Sequence, residues 1–247
     1  MKRHFREFHY KEAHFHILTS SWDPVTEFIL SERLRLEAFI LSHPLFGESL
    51  EPVSISPADK QPESVRRMIE ASLATGLGPM AAVAGTMAQL AAEISADMGS
   101  PETIVENGGD IYVDCREDVT LGLYPGRNSP FSNLALRILP EFMPLGVCTS
   151  SGRMGHSLSF GDCDILTVFS KNASLADAAA TLGCNSIRSK EDMEPVLNRL
   201  LEIPGIEGAL AIRDGDFGAA GRIPELVKNS DPEILNKVSR DETSNFQ

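Results

Sequence analysis

The sequence predicts an α+β protein built on antiparallel sheets, and three observations carry that prediction. From residue 103 onward, short strand-like stretches follow one another closely, so hairpins outnumber regular βαβ units. Helical patterns, at Asp23–His43, Pro62–Ala74, Ala81–Ala96, up to Leu182 and over Lys190–Leu201, alternate only loosely with the strands. Hydrophobic residues make up 42% of the chain and charged residues 23%, the balance of a globular body. At 247 residues there is material for one large core or for two fused lobes.

Each element has a local reason. Arg6 to Ser21 alternates in the strand sense, with Phe8, Tyr10, Phe15 and Ile17 inward and a turn near Lys11–Glu12. Asp23-Pro24 reads as a cap followed by proline at the first helical position, and His43-Pro44 stops that helix. A short strand is expected at Val53–Ile55, then a helix from Pro62 to Ala74. Gly76-Leu77-Gly78-Pro79-Met80 interrupts before an Ala-rich helix over Ala81–Ala96. Strands are expected at Thr103–Glu106, Ile111–Asp114, Val119–Tyr124, Leu134–Ile138, Gly146–Thr149 and Ile165–Phe169. Asn172 or Ser174 caps an Ala-rich helix that runs to Leu182, and a charged amphipathic helix follows over Lys190–Leu201. Strands near Ala209–Ile212 and Phe217–Gly221 complete a single unit over residues 1–228, leaving a polar tail over 229–247.

With 22 basic against 35 acidic residues the net charge is −13, so nucleic acid is a poor partner. No run of apolar residues reaches the length of a membrane span or a signal peptide, and the expected location is the cytoplasm. The four cysteines are widely spaced, without a CxxC pair, and are expected as free thiols. Among oligomers, base rates favour a homodimer.

Several short stretches can carry chemistry. Asn107-Gly108-Gly109-Asp110 lets backbone N–H groups approach a ligand, although it is also the composition of a plain hairpin turn. Asp177 and Thr181 share one helix face and offer hard oxygens of the kind Mg²⁺ takes. An Asp that favours a helix N-terminus, with Thr181 bonding back to the chain, is the structural alternative. In Ser150-Ser151-Gly152-Arg153-Met154-Gly155-His156-Ser157, Arg153 can hold a phosphate and His156 can act as general base, or the stretch is a solvated loop. Gly78-Pro79 opens a helix and offers backbone donors to an anion. His14 and His16 share one strand face, a slight metal signal against a solvated one. No GxSxG elbow, Walker loop or HExxH occurs.

The order of these stretches resembles the ApbE proteins, the FAD:protein FMN transferases. Asn107-Gly108-Gly109-Asp110-Ile111 is similar to their Gly-Gly-Asp turn, and Thr149-Ser150-Ser151-Gly152 to their Thr-Ser-Gly segment. Ile165 to Thr181 looks like their strand followed by an Ala-Leu-Ala-Asp-Ala-x-Ala-Thr helix. Gly78-Pro79-Met80 is similar to their Gly-Pro-Leu. The likeness is greatest to a placeholder-named branch of the ApbE-like superfamily that shares the runs Gly78–Gly85 and Gly155–Ser157.

The resemblance implies duplicated T-fold-like lobes with antiparallel sheets and packed helices around a central cleft. It further implies Asp177 and Thr181 as Mg²⁺ ligands, with Asp177 and His156 as catalytic residues. Gly78, Pro79, Asn107, Gly108, Gly109, Asp110, Ser151, Gly152 and Arg153 would lie along the FAD, and the reaction would be attack by a hydroxyl on its pyrophosphate. One family segment, His-x-x-Asp-Pro-x-Thr-Gly, has no clear counterpart here beyond Gly155-His156-Ser157. Two further readings therefore stand beside flavin binding: a non-catalytic binding or assembly module, and a metal-independent enzyme using His156 and Arg153.

Overall fold

Alternation along the first twenty residues produces the first hairpin. β1 (Arg6–Tyr10) and β2 (Ala13–Leu18) pair antiparallel, with Phe8 opposite Phe15 and Tyr10 opposite Ala13. Lys11 takes a left-handed φ of 52° to close the turn. The computed structural model describes residues 3–55, 60–126, 128–152 and 162–229; the Arg-Met-Gly-His-Ser stretch from Arg153 and the tail from residue 230 fall outside them.

α1 (Trp22–Ser42) starts two residues earlier than expected. Its cap is Ser21, and Asp23 stands in the first turn, where its charge favours the positive helix end. The helix stops at His43, whose ring stacks on Phe39 at 4.1 Å. A short α2 (Pro44–Glu48) follows. Val53–Ile55 forms no strand: both side chains pack instead against the helices, which satisfies their hydrophobicity without a ladder. α3 (Glu63–Thr75) ends at Gly76, whose φ of 77° is that of a left-handed helix stop. One 3₁₀ turn over Pro79–Ala82 leads into α4 (Val83–Asp97).

Then come β3 (Thr103–Asn107), β4 (Asp110–Asp114), β5 (Val119–Gly122), β6 (Leu134–Ile138), β7 (Leu145–Ser150) and β8 (Ile165–Ser170). α5 spans Ala173–Ser186, four residues beyond Leu182. The charged segment from Lys190 divides into a 3₁₀ turn with a Ser189–Asp192 capping box and α6 (Met193–Leu201). β9 (Ile206–Arg213) and β10 (Asp216–Gly221) complete the main sheet, and β11 (Glu225–Lys228) is a strand the sequence pattern did not announce.

Eight strands form one antiparallel sheet in the order β1-β2-β3-β4-β7-β8-β9-β10. Its two halves repeat one plan: two strands, a helical block, two strands. α1 to α4 fill the first block and α5 with α6 the second. This is the mixed, duplicated architecture expected. A three-stranded sheet, β11-β6-β5, covers the opposite face. Three apolar cores result. One lies between the main sheet and its helices, one between the two sheets, and one among α1, α2 and α3.

Candidate functional site

Period-two alternation decides which side chains meet. On β3 and β4, Val105 and Tyr112 face the helices while Ile104 and Val113 face the small sheet. Asn107 and Asp110 fall on the helix-facing side, as does Cys148 on β7, and all three are buried. The turn between Asn107 and Asp110 needs left-handed backbone twice, at Gly108 (φ 63°) and Gly109 (φ 99°). The glycines thus make the hairpin, and the hairpin delivers a buried amide and a buried carboxyl to one place.

The facing wall is α5 against α4. Asn172 caps α5, its side chain accepting from the Leu175 amide. Asp177 lies one turn further in, so it does not serve its own helix end. Its Oδ2 accepts the Gly85 N–H at 2.8 Å, and the Ala84 amide also reaches it. Asp177 therefore satisfies the start of α4, a tertiary cap. A methyl group on Gly85 would lie 2.4 Å from the Ala173 carbonyl oxygen and 2.8 Å from the Asp177 Cβ, so only glycine lets the helices approach this closely. Asn107 joins the group through Nδ2, which donates to the Ala84 carbonyl at 3.2 Å.

Burial dominates the electrostatics. It pushes the Asp177 carboxyl up to about 7, against the opposing pull of the Gly85 and Ala84 amides. Asp110 is also held well above the usual carboxylate range, by burial and then by the charge of Asp177, although the Cys148 thiol and the Thr149 amide donate to it. The Thr149 N–H lies 3.2 Å from Asp110 Oδ1. Burial likewise raises the Cys148 thiol, whose Sγ sits 3.4 Å from the Ala173 carbonyl. No described basic side chain is among the main causes of either shift.

That deficit is what a divalent cation would correct. Asp110 and Asp177 offer hard oxygens, and the half-buried Thr181 follows Asp177 by one turn of α5. Among the described residues no three His, Cys, Asp or Glu side chains converge as a ready metal cage. Mg²⁺ does not require one, since it keeps several waters and commonly takes one or two carboxylates plus phosphate oxygens. Carboxylate and hydroxyl oxygens are the donor types such an ion takes.

The other expected site residues divide. Gly78 is packed against the Ser49–Leu50 backbone, and its amide is used by the Leu50 carbonyl at 2.8 Å. Pro79 is buried and has no N–H to give. Ser151 and Gly152 follow β7 directly, and the Gly152 amide pairs with the Cys163 carbonyl at 3.0 Å. Arg153 and His156 lie outside the described residues. His16 and His14 are on the opposite sheet face, away from the carboxyl pair, and His16 Nδ1 is 2.6 Å from Glu106. Sequence reasoning missed Cys148 and the Thr149 amide. Strand parity with Asp110 would have found them. Nothing local marks Gly85, within the run Gly78–Gly85, as the partner of Asp177.

The duplicated antiparallel α+β fold is that of ApbE-like proteins. Residues 7–201 match the family model described as AbpE bacteria, and the chain belongs to that family. The UPF0280 protein of Methanococcus maripaludis strain C5 is 42% identical over 214 residues, covering 85% of this chain and 86% of that protein. The UPF0280 protein of Methanocaldococcus jannaschii is 41% identical over 207 residues, covering 82% and 83%. Among solved structures, the apo form of the flavinyl transferase ApbE of Pseudomonas stutzeri superposes with a TM-score of 0.50 at 14% identity, covering 90% of this chain and 96% of that one. The ApbE protein of Thermotoga maritima gives 0.52 at 12%, covering 96% and 100%. At such identities the likeness is one of fold. No described helix is long and apolar enough to cross a membrane.

Proposed function

We propose that the chain binds a flavin or nucleotide-like ligand, FAD foremost, together with Mg²⁺ at the Asp110–Asp177 pair, and acts in FMN transfer. One observation carries this reading: two carboxyl groups are buried side by side with no described basic side chain to balance them. Asp177 and Thr181 would hold the ion, with Asp110 beside them and water or phosphate oxygens completing its shell. Bound Mg²⁺ supplies charge neutralisation to a pyrophosphate. The name of the structurally similar flavinyl transferase supports the choice of FAD. The four cysteines are buried thiols rather than disulfides, which suits a cytoplasmic setting.

A second reading rests on the Gly85 hydrogen bond: Asp177 is a structural cap for α4, and the protein is a non-catalytic module. The two readings part at Asp177→Asn, which keeps an acceptor for the Gly85 amide but removes the charge. FAD titrated with and without Mg²⁺, followed by flavin fluorescence, is expected to show saturable binding that Mg²⁺ tightens. In Asp177→Asn that enhancement disappears, roughly a tenfold or greater loss, while the fold stays intact. Equal Mg²⁺ enhancement in the variant, or no FAD binding by the native chain, supports the structural reading instead.

A further inference from the structure

The contact between α4 and α5 is polar as well as close. Gly85 donates to Asp177, the Thr86 hydroxyl donates to Ser174 Oγ at 2.7 Å, and Gln89 Oε1 accepts the Ala173 N–H at 2.7 Å. Ala173 is the first residue of α5, so its amide is one of those a helix leaves without an internal partner. The Ala173 carbonyl, in the next peptide unit, lies 3.4 Å from Cys148 Sγ.

Gln89 can accept only if its side-chain amide points the right way, and the structure fixes that orientation. Its Nε2 donates to Glu93 Oε1 at 2.9 Å, which leaves the oxygen for Ala173. Glu93 is gripped in turn by the Arg67 guanidinium, through Nη1 at 2.8 Å and Nη2 at 2.7 Å. Arg67 also donates through Nε to Glu63 at 2.9 Å. A continuous chain thus runs from the surface of α3, across α4, to the buried first amide of α5. Ala173 and Asp177 are one helical turn apart on the same face of α5. Where the chain holds Ala173 along the α5 axis decides where the Asp177 carboxyl stands against the Gly85 amide and Asp110.

From this we propose that Gln89, oriented by Glu93 and Arg67, is a positioning residue for the Asp177 carboxyl. It touches neither a ligand nor Asp177. It sets the axial placement of α5, and the carboxyl follows. The consequence for Mg²⁺ rests on the proposed function; the placement of Asp177 does not.

The test is amide hydrogen exchange on the full chain, comparing the native protein with Gln89→Met, which has similar size but no donor and only a weak thioether acceptor in place of the amide oxygen. Protection of the Ala173 amide is expected to fall, and protection of the Gly85 amide, which reports the bond to Asp177, to fall with it by about tenfold. Amides of β3 such as Val105 keep their protection. If Gly85 stays protected while Ala173 loses protection, or if all three fall together, Gln89 is ordinary packing and the proposal is overturned. Should Gln89→Met fail to fold, Arg67→Lys keeps the charge but breaks the two-pronged grip on Glu93. A smaller loss at Gly85 is expected there, and no loss overturns the proposal equally. Mg²⁺ titration in the presence of FAD adds a separate readout, weakened about tenfold in Gln89→Met. Absence of Mg²⁺ binding in the native chain counts against the proposed function alone, because the Gly85 exchange still decides the role of Gln89.

Discussion

On the helix-covered face of the main sheet, Asp110 and Asp177 are buried, accept hydrogen bonds from backbone amides, and are pushed toward their protonated forms. On the opposite face, at the β1–β3 corner, Glu7 and Glu106 flank His16. Glu106 lies 2.6 Å from Nδ1 and Glu7 lies 3.7 Å from Nε2. The hydrogen bond to Glu106 pushes the imidazole upward, assisted by both carboxylate charges and opposed by partial burial. The difference between these regions is one of compensation. The outer carboxylates keep water and a basic partner within the chain. The inner pair has neither among the described residues, and amides offset only part of the cost of burial.

The largest effect that can break this comparison is in the pH dependence of stability. Asp177 titrates near 7 when folded and about 4 when unfolded. Below about pH 4 both states are protonated and burial of the carboxyl is harmless. As pH rises toward 7 the unfolded state releases its proton first, so native stability declines over that window by several kcal/mol in the ligand-free protein. Asp177→Asn removes this contribution, so urea denaturation across the window should show the variant gaining on the native chain as pH rises. Parallel curves would mean that the carboxyl is not buried as described.

A smaller effect comes from the helix contact itself. Gly85→Ala places a methyl against the Ala173 carbonyl and the Asp177 Cβ, neither of which is a flexible chain end. Forced overpacking of this kind costs about 1–3 kcal/mol, measurable as a lowered urea midpoint. A neutral outcome would show that α4 and α5 can separate without penalty, and the seam would then place nothing.

The smallest effect sharpens the outer half of the comparison. The folded pKa of His16 is raised, so its ion pair contributes stability fully below about pH 6.5 and loses it as pH rises through the folded value. His16→Gln should cost under about 1 kcal/mol at pH 5.5 and less still at pH 8.5, as expected for a part-exposed pair. Equal costs at both pH values would remove charge from the account of that corner.

Much of the local structure was legible. The β1–β2 hairpin, the stop of α1 at His43, the Asn172 cap and the strand–turn–strand around Gly108 follow from alternation, capping and turn chemistry. Asp177 was legible as a carboxylate on an Ala-rich helix with Thr181 a turn away. Its environment was not, because its partner amide belongs to Gly85, 92 residues earlier, and no short-range pattern encodes that meeting. Val53–Ile55 misled for a related reason. Apolar alternation signals burial, and helices met the need instead of a sheet.

What the sequence determined by itself is therefore short-range. It set where the chain alternates with period two or 3.6, where glycine permits left-handed turns at 108 and 109, and which oxygen-bearing side chains are available. Only the tertiary structure decided that Asn107, Asp110, Cys148 and Asp177 share one buried space. It also decided that the two halves repeat one plan within a continuous sheet, and that Gln89 holds the end of α5. The physical reason is that turn geometry and periodicity act over a few bonds, whereas desolvation and charge depend on whatever the fold brings within a few ångströms.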